Sequence, residues 1–428
     1  MAQSLTPALA ISPRAPGGLA AAWRYGFSTL GPVATSGAHF LTSLLFVRSL
    51  PLSEFGLFSF VLVIVPFCMS IIAALLALPV NSALAEPAET RARIEAACLK
   101  MNLLLTALAG IVVFGLLALA HAPAVPALLL AGYGTIFSAR WFARCFAFIK
   151  GRTSAAIASD LVYAATLIIG LGLLAASHHL RFIPGAALLL AAASLSLLPF
   201  GAGFFRDQVA AISRGRIRDY RGIFRDLTRW SLLGVILTEF TVNAHAYLVT
   251  FISGPGPFAL LAVGQILMRP ASLVQSALPD LERPGMTRAI AARDRVKPTR
   301  MLRDFRWALV AVWLVTAMLA AAILTWAPHL LLKRNYALHD VVLVTAITAA
   351  IMLVRSFRTP PATFMQAAGE FKGLVWIGVY SSAISIILTL LLLLTWGPIA
   401  SLFGVLTGEI VILLMLNRMM SDWKMRHG

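Results

Sequence analysis

Long apolar runs dominate this chain, broken at fairly even intervals by charged clusters or Pro/Gly turns. A helix needs about 20 mostly apolar residues to cross a bilayer. Cutting the sequence at charges and turns predicts twelve such helices. They cover residues 26–47, 56–85, 101–120, 123–149, 154–176, 182–205, 231–253, 257–281, 307–328, 339–367, 371–395 and 398–416. The fourth and tenth runs carry arginines. An even count puts both termini on one side, so the prediction is an all-α integral membrane protein. Five segments follow: an N-terminal arm at 1–25, a six-helix half at 26–205, a linker at 206–230, a second six-helix half at 231–416 and a tail at 417–428.

Composition supports the reading from pattern. The 428 residues are 60% hydrophobic and 12% charged, whereas globular chains average about 45–50% apolar and about 25% charged. A soluble domain could not hide that much apolar surface, so the excess faces lipid, which excludes a soluble enzyme and a disordered chain. The net charge of +18 would suggest nucleic acid in a soluble protein. Its placement says otherwise. The segments 1–25, 86–100, 140–152, 206–230, 283–306, 355–372 and 417–428 hold 30 of the 35 Lys and Arg residues. The connections on the other side hold only Arg48, Arg181, Lys333 and Arg334. Basic loops stay cytoplasmic, so the chain is read as N-in and C-in, and the charge as topology without a nucleic-acid partner.

Few chemical motifs compete with this picture. There is no P-loop, HExxH or GxSxG pattern. The three cysteines, Cys68, Cys98 and Cys145, form no CxxC, so neither a metal nor a disulfide framework is expected. The first 25 residues lack the apolar core of a signal peptide and read as a loose cytoplasmic arm. No outer connection is long enough for a catalytic domain, and no cofactor is expected. In the linker, Ile217, Tyr220, Phe224 and Leu227 share one helical face, and Arg214, Arg218, Arg221 and Arg225 another. That pattern predicts an interfacial helix on the anionic inner leaflet.

The two halves look like copies. "LPLSEFGLFSFVLVIVP" at 50–66 aligns with "ISGPGPFALLAVGQILMRP" at 252–270, pairing Phe55-Gly56-Leu57 with Phe258-Ala259-Leu260. "FSARWFARCFAFIKGR" at 137–152 aligns with "RSFRTPPATFMQAAGE" at 355–370, setting Arg140 opposite Arg358. With six helices per half, the copies are parallel repeats. Transporters are often built this way, with the site near the midplane between them.

Several stretches also resemble a known family. The segment 40–65, with Arg48-Ser49-Leu50 before Phe55-Gly56-Leu57-Phe58, resembles the first two helices of polysaccharide flippases. The turn at 248–267, the stretch 327–340, and the closing region 365–409 with Gln366-x-x-Gly369 and Gly408-Glu409 resemble later parts of the same proteins. The resemblance is to the polysaccharide transporter, or O-antigen flippase, branch of the multidrug/oligosaccharidyl-lipid/polysaccharide (MOP) exporter superfamily. It covers most of 26–420. It implies two six-helix lobes, a central cavity and alternating access in a bacterial inner membrane. The implied substrate is a polyprenyl-pyrophosphate-linked oligosaccharide, an O-antigen or exopolysaccharide repeat unit. Other polysaccharide-assembly proteins are implied partners beside membrane lipids. Gly254-Pro255-Gly256-Pro257 and Pro360-Pro361 depart from the family pattern.

Charge inside a membrane is costly and marks candidate function. Gln265, Arg269, Ser272, Ser276 and Asp280 recur with helical spacing in the eighth run, predicting one continuous polar face on a cavity. Arg269 is the candidate phosphate ligand, because a guanidinium fork matches phosphate oxygens. Ser28, Thr35, His39 and Thr42 share a face of the first run, and His39 is a candidate donor to substrate. Arg140, Arg144, Arg355 and Arg358 fit either a cationic cavity or snorkelling to the inner leaflet, while Arg48 reads as a headgroup anchor. Among the acids, Asp160 and Glu409 are expected to pair with arginines. Glu239, near Asn243 and His245, is the better candidate for ion coupling, and Asp280 is a further ion-pair candidate. The leading expectation is a flippase, not an enzyme. A cation-coupled drug antiporter of the same superfamily is the alternative, although the first run holds no acid. A glycan polymerase or acyltransferase, or a non-transporting membrane partner, fits less well.

Overall fold

The computed structural model describes residues 18–292, 297–331 and 336–427. Every regular element among them is helical. The helices of spanning length are α1 (Gly18–Ser49), α2 (Leu52–Ser82), α3 (Ala88–Leu119), α4 (Ala124–Ile149), α5 (Thr153–Ala176), α6 (Phe182–Arg214), α7 (Arg229–Ile252), α8 in two pieces (α8a, Pro255–Leu267; α8b, Arg269–Ala291), α9 (Lys297–Trp326), α10 (Leu338–Ala367), α11 (Phe371–Trp396) and α12 (Ser401–His427). Nine of these described helices pass a length and hydropathy test for membrane crossing, and the bent α8 pair makes a tenth. The other two are α1 and α4, of 32 and 26 residues.

Three boundaries differ from the sequence reading. Helix α1 starts at Gly18, inside the arm expected to be loose, and residues 1–17 lie outside the described residues. The segment 206–214 continues α6, so only Ile217–Ile223 forms a separate linker helix. The expected tail is the last part of α12. In the last two cases polar residues extend an apolar helix, so hydropathy does not mark its end.

Aromatic residues mark the membrane boundaries. Trp307 and Trp326 of α9, and Trp376 and Trp396 of α11, are all exposed. Each pair spans about 30 Å of helix at about 1.5 Å per residue, which is about the hydrocarbon thickness. Indole rings prefer the headgroup boundary. The basic connections gather beyond the inner boundary. There Lys100 Nζ donates to the Ile212 carbonyl at 2.9 Å, and Lys150 pairs with Glu95 at 2.5 Å.

The two halves pack by the same plan. In the first, α1 packs on α5, α3 on α4, and α4 on α6. In the second, α7 packs on α11, α9 on α10, and α10 on α12. The repeat read from two short alignments is therefore a repeat of helix pairing. Small residues let backbones approach closely. On α12, Gly404 and Gly408 face Thr389 and Ser385 of α11, where a Cβ would collide. This Gly-xxx-Gly spacing is a common solution inside lipid, where apolar area alone does not drive helices together.

The lobes meet along α2 and α8a, the two segments aligned by the first repeat. Gly56 lies against the carbonyl of Pro255 with no room for a side chain. Phe60 packs edge-on against Tyr247, Phe251 and Phe258, at centroid distances of 5.5, 5.6 and 6.1 Å. These contacts close the outer end of the interface.

Gly408→Leu is expected to force α11 and α12 apart, costing about 1–3 kcal/mol as overpacking does. A lower midpoint in thermal unfolding of the purified protein checks this, and Gly37→Leu, where a side chain meets open space, should leave the midpoint unchanged.

Candidate functional site

A cavity of about 470 Å³ lies between the lobes. The second lobe gives it a polar wall: Asn243 and His245 of α7, Gln265 of α8a, Arg269, Ser272 and Ser276 of α8b, and Thr348 and Arg355 of α10. The first lobe adds Ser43 and Ser59, but mostly the apolar α2 surface of Leu62, Val63 and Pro66. No Asp or Glu is among its described lining residues.

The polar face of the eighth run reaches this cavity by a different geometry from the one expected. The run is not one helix: α8a and α8b meet at 63° across Met268. Pro270 explains the break, since it lacks an N–H and its ring obstructs the preceding turn. Arg269 thus opens a new helix at its positive end, where anions are favoured. Gln265, Arg269, Ser272 and Ser276 still line the cavity from both sides of the bend. Asp280 belongs to α8b, but its side chain lies outside the described residues, as does that of Ser28.

Arg269 is half-buried and makes no ion pair or side-chain hydrogen bond among the described residues. Its neighbour Gln265 is engaged instead, with Nε2 2.9 Å from His245 Nε2. Gln275, missed in the sequence, fixes α8b by donating at 2.8 Å to both the Met352 carbonyl and Ser356 Oγ of α10.

The other four arginines form two matching clusters. In the first lobe, Arg140 pairs with Asp160 at 2.5 Å and Arg144 with the same carboxylate at 2.9 Å. Arg140 Nε also donates to Ser159 Oγ at 3.1 Å, and its guanidinium lies 4.8 Å from the Tyr163 ring centroid. At 1% exposure Arg140 belongs to the lobe interior and does not line the cavity. His39 also stands behind the wall, with Nε2 3.2 Å from Tyr163 Oη. One turn on, Ser43 lines the cavity in its place.

In the second lobe, Arg355 and Arg358 hold the two oxygens of Glu409, at 2.7 and 2.6 Å. Glu409 is fully buried. The adjacent Gly408 touches Ser385, midway along α11 between its boundary tryptophans. Both guanidiniums are thus turned to this carboxylate between the helices and not out toward the inner leaflet. Arg355 also faces the cavity. Arg48, by contrast, is exposed at the outer end of α1.

Glu239 has no arginine partner among the described residues. It accepts from Asn243 Nδ2 at 3.0 Å and from Tyr247 Oη at 2.8 Å. Asn243 links it to the cavity wall. Tyr247, absent from the sequence reading, lies two turns along the same face of α7.

The sequence matches no protein-family model and no curated relative. Solved structures do match over nearly the whole chain. An inward-facing multidrug-resistance MATE-family transporter of the MOP superfamily superposes with a TM-score of 0.70 at 12% identity, covering 93% of this chain and 99% of that one. The fold is that of the MOP superfamily. Lipid II flippase MurJ, in an inward closed conformation, matches at 0.65 with 14% identity over 91% of this chain and 86% of its own. An outward-facing MATE transporter matches at 0.62 with 12% identity over 92% and 94%. These identities establish the MOP fold alone, since one fold serves many functions.

Two substitutions separate paired from unpaired charge. Asp160→Asn leaves Arg140 buried without a counter-ion and is expected to cost about 3–5 kcal/mol. Arg269→Ala removes a guanidinium with no partner and is expected to leave the unfolding midpoint close to that of the parent. Thermal unfolding of both variants in the same detergent checks the contrast.

Proposed function

We propose that the protein is a flippase that moves a polyprenyl-pyrophosphate-linked oligosaccharide across the bacterial inner membrane by alternating access. One observation carries the reading: the interlobe cavity presents Arg269 and Arg355 with no carboxylate among its described lining. Such a cavity favours an anion and repels the cations many drug exporters carry. Arg269, at the first turn of α8b, offers a guanidinium fork beside a positive helix end, which suits a diphosphate. Gln265, Asn243 and the cavity serines offer neutral hydrogen bonds of the kind that sugars use. The apolar α2 wall suits the start of a prenyl chain, whose remainder stays in the bilayer.

An inside-negative membrane potential drives such an anion outward. Each charge moved across 100 mV contributes about 2.3 kcal/mol, and the diphosphate headgroup carries about two. The closed outer end fits loading from the inner side, and rocking of the lobes about the α2–α8a contact then exposes the site outside.

The cation-coupled antiporter remains a second reading because of Glu239, an intramembrane carboxylate held by neutral donors alone. In that reading, Glu239 binds the coupling ion and Asn243 relays its occupancy to the cavity.

In cells lacking the protein, lipid-linked oligosaccharide is expected to accumulate on the inner leaflet, and the parent chain should clear it. Arg269→Ala should insert normally yet lose at least tenfold in clearance, as expected for losing a charge-assisted fork. Arg269→Lys should recover only part, because a point charge lacks the fork. Full clearance by Arg269→Ala would overturn the site assignment. Absence of accumulation with glycan export intact would overturn the substrate. Glu239→Gln should leave clearance intact if potential alone drives transport, and abolish it if an ion is coupled there.

A further inference from the structure

Helix α2 carries a backbone defect in its inner half. In a regular α-helix the carbonyl of Leu75 accepts from the N–H of residue 79, and residue 79 is Pro, which has none. The turn before it, Ala73–Ala77, is widened into a π-helix. An unmet carbonyl in a dry interior is costly. The linker helix supplies a side-chain donor at this flaw: Tyr220 Oη donates to the Leu75 carbonyl at 2.8 Å. Tyr220 is 5% exposed, and its oxygen also lies 3.5 Å from Thr228 Oγ1. Burial pushes the Tyr220 hydroxyl up to about 12, so it keeps its proton at neutral pH.

The rest of the linker faces outward. Arg214, Arg216, Arg218 and Arg221 are exposed, and so are Ile217 and Phe224. The sequence put Tyr220 on one face with Ile217 and Phe224; the structure turns Tyr220 inward and leaves the other two beside the arginines. Guanidinium groups interspersed with exposed apolar side chains suit the boundary of an anionic leaflet. The linker also runs through a π turn, Phe224–Thr228, directly into α7. It thus touches α2 of one lobe and continues into α7 of the other, and both helices line the cavity.

We propose that the linker is a lipid-responsive latch: its outer face binds anionic headgroups of the inner leaflet, and Tyr220 on its inner face holds the inner half of α2. With the linker seated on anionic lipid, the Tyr220–Leu75 bond is held closed and the flawed stretch of α2 stays helical. With the linker loosened, that stretch opens and the inner mouth of the cavity loses one fixed wall. This device works whatever substrate the cavity takes.

Hydrogen–deuterium exchange of residues 73–82 tests the latch. The full chain is reconstituted in phosphatidylcholine vesicles, with or without an equal amount of phosphatidylglycerol. In the parent, exchange should be about fivefold slower in the anionic vesicles, as one hydrogen bond can supply. Tyr220→Phe keeps the ring and removes the donor; it should exchange at the fast rate in both lipids. Pro79→Ala returns a backbone donor to α2, so adding Tyr220→Phe to it should change nothing. Parent exchange that ignores lipid charge, lipid sensitivity that survives Tyr220→Phe, or an undiminished effect of Tyr220→Phe in the Pro79→Ala background would each overturn the proposal.

Discussion

A guanidinium inside a bilayer must find a carboxylate, water or an anionic ligand, and this constraint organises the molecule. Five arginines lie within the apolar runs that the sequence marks as spans. Four are satisfied by two acids, each acid shared by two arginines on one helix. Sharing leaves each cluster one positive charge in excess, so neither is neutral. The fifth, Arg269, has no protein partner among the described residues and stands at the cavity. Positive charge is thus concentrated around the lobe interface, and one member is left for whatever enters.

The clusters also show how the repeat has been used. Arginines from α4 and α10, equivalent helices by position and packing, supply the cations in both lobes. The acids come from non-equivalent helices, α5 in the first lobe and α12 in the second. The constraint was therefore met twice on one architecture by different means. The second solution leaves Arg355 at the cavity, while the first draws Arg140 wholly inside.

Helix number and repeat were legible because each rests on a local pattern: apolar length and turn spacing. The pairing of Asp160 and Glu409 with arginines was legible for the same reason, since few other partners exist at that depth. What was hidden depends on three dimensions. His39 stands one turn from Ser43, which lines the cavity, yet itself packs against Tyr163. Pro270 was visible, but the polar stripe around it reads identically on a straight or a broken helix. Tyr220 had the right spacing for an apolar face, and nothing local announced a carbonyl 145 positions away that needed a proton.

The position of Gly31 has a mechanical consequence. It lets α1 lie directly against the Asp160 carboxylate, which is itself pinned to α4 through two arginines. Three helices of the first lobe are thereby tied at one charged knot. The counterpart of α1 in the second lobe, α7, meets α11 through neutral polar contacts among the described residues, with Thr241 against Ser382 and Ser382 donating to the Leu237 carbonyl. The two lobes, alike in outline, therefore anchor their leading helices by different chemistry.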